Sequence, residues 1–303
     1  MKIRKMEESM SFRIITDSNA DVPPEIIKEY DLFVMPTPVI VNGENKLDGQ
    51  TIQPKELYDI LRAGGESSTS QINSFMFEEY FREFAKAKEE VIYICFSSGL
   101  TGTYHSATMA LETIKEEYPE FDMTIIDTKC ASLGFGLVVY LALLMQKNGA
   151  SKETVLEGIY YHSQHMQHIF TVDDLEYLFK GGRLSRTSAL VGGLLDIKPI
   201  ISTDEEGKLV AIDKVRGRNR SIKKCLEYVE KRGKDLDKQI VGVCHGDDIP
   251  TMNLIKDELN SRFGCTKFIE NYVGCSIGTH TGPGMVAIVF LDEESKYQEY
   301  LKQ

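Results

Sequence analysis

The feature that most constrains this chain is a short, almost wholly apolar run, Val91-Ile-Tyr-Ile-Cys-Phe96, followed at once by Ser97-Ser-Gly-Leu-Thr-Gly-Thr103. Such a run, stopped by small polar residues, predicts a strand buried on both faces. Helical periodicity from about Thr103 to Tyr118 makes the pair a strand–turn–helix unit. The pattern recurs nearby. Residues 12–16 and 123–126 read as strands, and residues 54–61, 75–88 and 133–147 as helices. Strands alternating with helices of this length predict βαβ wiring and a parallel sheet.

The second half reads differently. Residues 175–180 and 187–195 suggest short helices around the turn Gly181-Gly-Arg-Leu-Ser185. Residues 199–203 and 208–214 suggest a hairpin bent at Glu206-Gly207. A strand–helix–strand unit follows at residues 239–244, 251–263 and 267–271, and residues 285–291 form a last strand. An antiparallel element inside βαβ wiring predicts a mixed sheet, with a boundary near residues 163–173. A chain of 303 residues, 42% of them hydrophobic, can bury a core for one large or two medium domains.

Charge and cysteine usage remove several function classes. A net charge of -11 repels phosphate backbones, so nucleic acid is not an expected partner. The basic residues cluster locally at Lys214-Val-Arg-Gly-Arg-Asn-Arg220, either as a solvated loop or as a receiver for an anionic ligand or partner. Six cysteines lie scattered without a zinc or iron–sulfur spacing, so no metal and no cofactor is expected. Unpaired thiols and a charged N-terminus, MKIRKMEESM, point to a cytoplasmic protein. The longest apolar stretch, Leu133 to Met145, is too short to span a bilayer, so no membrane insertion is expected.

Four segments carry the candidate chemistry: Ser67-Ser-Thr-Ser-Gln71, Ser97 to Thr103, Gly181 to Ser185 and Gly278-Thr-His-Thr-Gly-Pro-Gly284. The first two stand ahead of helices, where ligands of open α/β sheets bind and where free N–H groups favour an anion. Hydroxyls add donors there, and glycines let the backbone approach a ligand. Each segment also has a plainer reading, as helix caps and turns. The excess of hydroxyls over what a cap needs favours a ligand.

The order and wording of these segments resemble the DegV family, whose members bind fatty acids. Some serve in bacteria as the acyl-binding subunit of a two-component fatty acid kinase. The family pattern has Thr-Asp-Ser after the first strand, here Thr16-Asp17-Ser18, and Thr-Ser-Gln, here Thr69-Ser70-Gln71. Ser-Ser-Gly-Leu-Ser/Thr-Gly-Thr-Tyr stands at Ser97 to Tyr104 and Gly-Gly-Arg-Ile/Leu-Ser at Gly181 to Ser185. A Lys-Pro pair (Lys198-Pro199) and His-Thr-Gly-Pro-Gly (His280 to Gly284) complete it. The likeness spans nearly everything after Phe12. Ile72-Asn73 replaces the usual Pro-Ser, and Thr101 a common serine.

The resemblance implies a two-domain DegV-like fold. Residues 12–165 would form an N-terminal three-layer α/β/α domain with a parallel sheet, and residues 166–303 a C-terminal α/β domain with a mixed sheet. It implies a buried acyl tunnel whose carboxylate is gripped by the hydroxyls of Thr69 and Ser98, with His280 beside them. Ser70, Ser97, Gly99, Thr101 and Thr281 complete the expected fatty-acid site, a neutral grip that needs no charged partner. Arg216 matches an arginine that serves phosphoryl transfer or partner contact, and His280 is a second candidate for that role. The protein would be a lipid-binding subunit in phospholipid metabolism, with a partner kinase supplying ATP and metal. The main alternative is a serine hydrolase with Ser98 as nucleophile, His280 as base and an acid such as Asp17. It lacks the first glycine of Gly-x-Ser-x-Gly. No Gly-x-Gly-x-x-Gly follows the first strand, and no Gly-x-x-x-x-Gly-Lys-Ser/Thr motif offers a nucleotide site.

Overall fold

The computed structural model describes residues 12–185 and 196–302. Strand β1 (Arg13–Asp17) is followed by α1 (Pro24–Glu29), β2 (Phe33–Met35), β3 (Pro38–Val41), β4 (Glu44–Leu47), α2 (Pro54–Arg62) and β5 (Ser67–Thr69). Next come α3 (Ser74–Ala87), β6 (Val91–Cys95), α4 (Thr103–Glu117), β7 (Met123–Asp127), α5 (Ser132–Lys147) and α6 (Lys152–His165). The chain continues through β8 (Met166–Thr171), α7 (Glu176–Lys180), β9 (Ile197–Thr203), β10 (Leu209–Arg216) and α8 (Arg218–Arg232). It ends with β11 (Ile240–His245), α9 (Ile249–Phe263), β12 (Lys267–Tyr272), α10 (Cys275–Thr281) and β13 (Val286–Leu291). The short helix expected over residues 187–195 lies outside the described residues.

Two principal sheets result. The first, in the order β2-β1-β6-β7, is parallel throughout, and every residue of β6 is buried, as its continuous apolar run requires. Phe77, Phe81 and Phe84 of α3 and Ala107, Ala110 and Ile114 of α4 fill one face. Helix α5 fills the other together with Ile26 of α1. The second sheet, β10-β9-β8-β13-β11-β12, is mixed: only β11 and β12 run parallel.

Helix α5 explains the apolar stretch from Leu133 to Met145. It packs between both sheets and is apolar nearly all round because it is covered nearly all round, leaving only Tyr140 of that stretch partly exposed. Among the described residues no helix is long and apolar enough to cross a membrane.

Residues 67–69 depart from the sequence reading. They pair with Val39–Val41 as the edge of a small antiparallel sheet, β4-β3-β5, instead of forming a loop. A strand made of Ser and Thr has no apolar alternation to reveal it, because only its ladder, not its side chains, joins the core. A second departure concerns His280, whose glycine-flanked segment carries no helical period. It sits in the last turn of α10, ahead of Gly282, whose φ of +70° ends the helix. The start of that helix is fixed from the other half of the chain. Asp21 accepts from the Gly274 N–H, and Asp48 accepts from those of Cys275 and Ser276, at 2.8–3.0 Å. Two carboxylates thereby satisfy donors that the helix cannot.

Candidate ligand-binding cavity

A cavity of about 270 Å³ opens where the carboxyl ends of the parallel strands meet the second sheet. Its apolar wall follows one face of β13 and its approach: Met285, Ala287 and Val289, with Phe170 of β8 beside them and Phe96 and Leu100 opposite. Alternation along the strand puts these residues on one side, with Val286 and Ile288 turned to the core behind.

Polar side chains gather in the lining near the end of α10. Thr69 Oγ1 and His280 Nε2 share a hydrogen bond of 2.7 Å, which ties β5 to the end of α10. His280 Nδ1 is buried and has no partner among the described residues. Burial, assisted by the nearby Arg183 guanidinium, lowers the His280 pKa to about 4, so the ring is neutral at pH 7. Gly181 is required here: a Cβ on it would stand 2.1 Å from His280 Nδ1. Thr101 and Thr103 share a hydrogen bond of 3.1 Å and both line the cavity, as do Ser70 and Thr281. The Thr281 hydroxyl also bonds back to the Ile277 carbonyl at 3.3 Å.

Arg183 lines the same cavity, half-buried, and burial lowers its pKa. The lining thus includes a cation beside the hydroxyls that the sequence singled out. Arg183 belongs to the motif Gly181 to Ser185, whose glycines read equally as a helix-ending turn. Another residue missed is His168, the one ionisable residue in an otherwise apolar β8 face, and that inconsistency was its available signal.

Three of the expected residues lie elsewhere. Ser97 is fully buried, its hydroxyl donating to the Gly207 carbonyl at 2.8 Å and accepting from the Gly99 N–H at 3.1 Å. Gly99 lies against the backbone of Glu206 and Gly207, the tip of the β9–β10 hairpin. Ser98 Oγ accepts from Lys129 Nζ at 2.5 Å, and Lys129 is paired with Asp127 at 2.6 Å. None of the three lines the cavity. Arg216 ends β10, exposed, and does not reach the cavity lining either.

The hydrolase arrangement is not assembled. Ser98 meets Lys129 rather than His280, and His280 meets Thr69. Asp17 is buried against Asn19, Tyr93 and the Phe96 N–H. Among the described residues no cluster of His, Cys, Asp and Glu could hold a metal ion.

The model described as "Uncharacterised protein, DegV family" matches residues 11–293. A DegV domain-containing protein of Caldanaerobacter subterraneus subsp. tengcongensis is 38% identical, over 91% of this chain and 97% of its own. The chain belongs to the DegV family. Solved DegV-type structures agree in fold. One is the fatty-acid-binding DegV family protein of Thermus thermophilus, with TM-score 0.84, 27% identity, and coverage of 93% of this chain and 100% of that one. Another is DegV of Bacillus subtilis, described as a fatty acid binding protein, with TM-score 0.80, 28% identity, and coverage of 93% and 99%. A third, the stearic-acid-binding protein of Eubacterium ventriosum, superposes with TM-score 0.84 at 26% identity, covering 93% and 98%. The parallel sheet and the mixed sheet are thus those of the DegV fold.

Proposed function

We propose that this protein binds one long-chain fatty acid, with its carboxylate at the Thr69–His280 end of the cavity and its tail along β13. The observation that carries the reading is the division of the cavity: a cluster of donors at one end and an apolar wall continuing from it. The fatty-acid-binding relatives support it. Each buried methylene contributes about 0.8 kcal/mol, so the tail supplies most of the affinity before ordering costs. Donors to the carboxylate mainly fix position, at about 1.5–3 kcal/mol each. Among the residues expected from sequence, the geometry favours Thr69, Ser70, Thr101, His280 and Thr281 for that role, with Arg183 added as the countercharge. Ser97, Ser98 and Gly99 then hold the loop rather than the ligand.

The further role is presentation of the carboxylate to a partner kinase that brings ATP and metal. Exposed Arg216, in its basic run, suits contact with an acidic kinase face or the transferred phosphate. Denaturing the purified protein and extracting it should release about one fatty acid per chain. Release of none, together with no uptake of added fatty acid, overturns the binding reading. Arg216→Ala should keep lipid but slow kinase-dependent acyl phosphate formation at least tenfold. An unchanged rate removes Arg216 from the mechanism.

A further inference from the structure

The cavity contains a second polar feature, remote from the Thr69–His280 end. His168 on β8 stands opposite Val289 in the β8–β13 register, and Thr203 on β9 lies beside it by the register that pairs Phe170 with Ile201. All three residues line the cavity. Val289 is four residues beyond Met285 along an extended strand, so this rung lies about 14 Å further from the α10 end. An apolar tail lying on β13 would pass a histidine and a threonine there.

The hydrogen-bond roles of this pair are fixed by the surrounding backbone. The Ala131 N–H, immediately before α5, donates to His168 Nε2 at 3.3 Å. Gly134 is pressed so closely on the same ring that a Cβ there would stand 2.1 Å from Nε2. Burial keeps the imidazole neutral, with a pKa lowered to about 4. A neutral ring that accepts at Nε2 carries its proton on Nδ1, and Nδ1 lies 3.2 Å from Thr203 Oγ1. His168 therefore donates to Thr203. The Thr203 hydroxyl, acting as acceptor toward the ring, retains its own hydrogen, for which the described residues supply no acceptor. Thr203 lines the cavity, so this hydrogen is available to a ligand there.

We propose that Thr203, oriented by His168, is a specificity-determining residue that accepts a fatty acid bearing an oxygen substituent, a hydroxyl or a ketone, far along its tail. This rests on the fatty-acid reading above and adds a ligand class to it. In a cavity lined only by hydrocarbon a tail hydroxyl is rejected, because it loses its water without replacement. Here the Thr203 hydrogen meets it. An unsubstituted tail still binds, since Thr203 stays bonded to His168 and its free hydrogen is the only loss.

The test is calorimetric titration of lipid-free protein with stearic, 12-hydroxystearic and 2-hydroxystearic acids, on wild type, Thr203→Val and Thr203→Ser. Wild type should bind 12-hydroxystearic acid within about threefold of stearic acid. Thr203→Val should lose tenfold or more for the 12-hydroxy acid only, with Thr203→Ser restoring it. The 2-hydroxy acid carries its oxygen at the other end and should ignore both substitutions. Rejection of the 12-hydroxy acid by wild type, with stearic acid bound, overturns the proposal and leaves the fatty-acid reading intact. Equal losses for all three acids in Thr203→Val make the residue structural and likewise overturn it. Binding of no acid at all removes both readings.

Discussion

Ser67–Gln71 and Ser97–Thr103 look alike as sequence, yet the fold uses them differently. The first is a strand edge running into a loop, and its Thr69, Ser70 and Gln71 all line the cavity, anchored by the Thr69–His280 hydrogen bond. The second divides. Its leading half, Ser97 to Gly99, is spent on the β9–β10 hairpin and on Lys129, and its trailing half, Thr101 to Thr103, turns into the cavity. A hydroxyl-rich segment is thus not one functional unit. What each hydroxyl does is decided by which neighbour reaches it first, and for Ser97 and Ser98 that neighbour comes from chain distant in sequence.

The two anchors respond to pH in separate windows, which gives the largest expected effect. His280 has a folded pKa of about 4 against 6.5 for the free side chain. Between those values the unfolded chain binds the proton and the folded one does not. Stability is therefore complete above pH 6.5 and falls as the pH drops toward 4, by about 3 kcal/mol. The Asp127 carboxylate, though partly desolvated, is held below its usual value by its bonds to Lys129 and Ser98, so its contribution is lost only below pH 3.8. Urea unfolding of lipid-free protein at pH 6.5 and 4.5 measures the first window. His162 and His168 titrate in the same direction, so the readout is the difference between wild type and His280→Asn. Equal slopes for the two proteins would show that His280 is not the buried neutral anchor described here.

A smaller effect probes the second segment. A Cβ on Gly99 would stand 2.4 Å from the Glu206 carbonyl oxygen and under 3 Å from Gly207 backbone atoms, none of which can swing aside. Gly99→Ala should lift the hairpin tip, break the Ser97–Gly207 bond and cost about 1–3 kcal/mol in urea unfolding. Gly102→Ala makes an equally close contact, but with the side chain of Gln71. It should cost less stability while disturbing the first segment. If both variants unfold alike, the hairpin does not depend on this close approach.

The fold was largely legible because its signals are local. The buried run at Val91, the helical periods around it and the bend at Glu206-Gly207 each report their own conformation. The site was legible in its motifs but only partly in its roles. Thr69, Ser70, Thr101, His280 and Thr281 line the cavity, whereas Ser98 faces Lys129, and no spacing within the motif could place a lysine from the next strand's end. Arg183 and His168 were missed for related reasons. One sat in a motif that also reads as a turn, and the other in a strand where a single polar residue passes as an exception.

The smallest expected effect is the one that sharpens the comparison most. If the two segments were equivalent, Thr69→Val and Ser98→Ala would weaken fatty acid binding equally. The geometry separates them. Thr69→Val removes a hydroxyl that faces the cavity and bonds His280, so affinity should fall about tenfold, or about 1.4 kcal/mol, with little change in overall shape. Ser98→Ala removes a hydroxyl that accepts from a lysine already ion-paired with Asp127, and Lys129 is 43% exposed. Water can replace that contact, so stability should change by less than about 0.5 kcal/mol. Fatty acid affinity should change less than about twofold, since the Ser98 side chain is not part of the lining. Calorimetric titration of both variants with the same fatty acid decides between the segments. A tenfold loss in Ser98→Ala would mean that the ligand draws Ser98 away from Lys129 on binding, and the carboxylate would then have to be placed between the two segments rather than at the first.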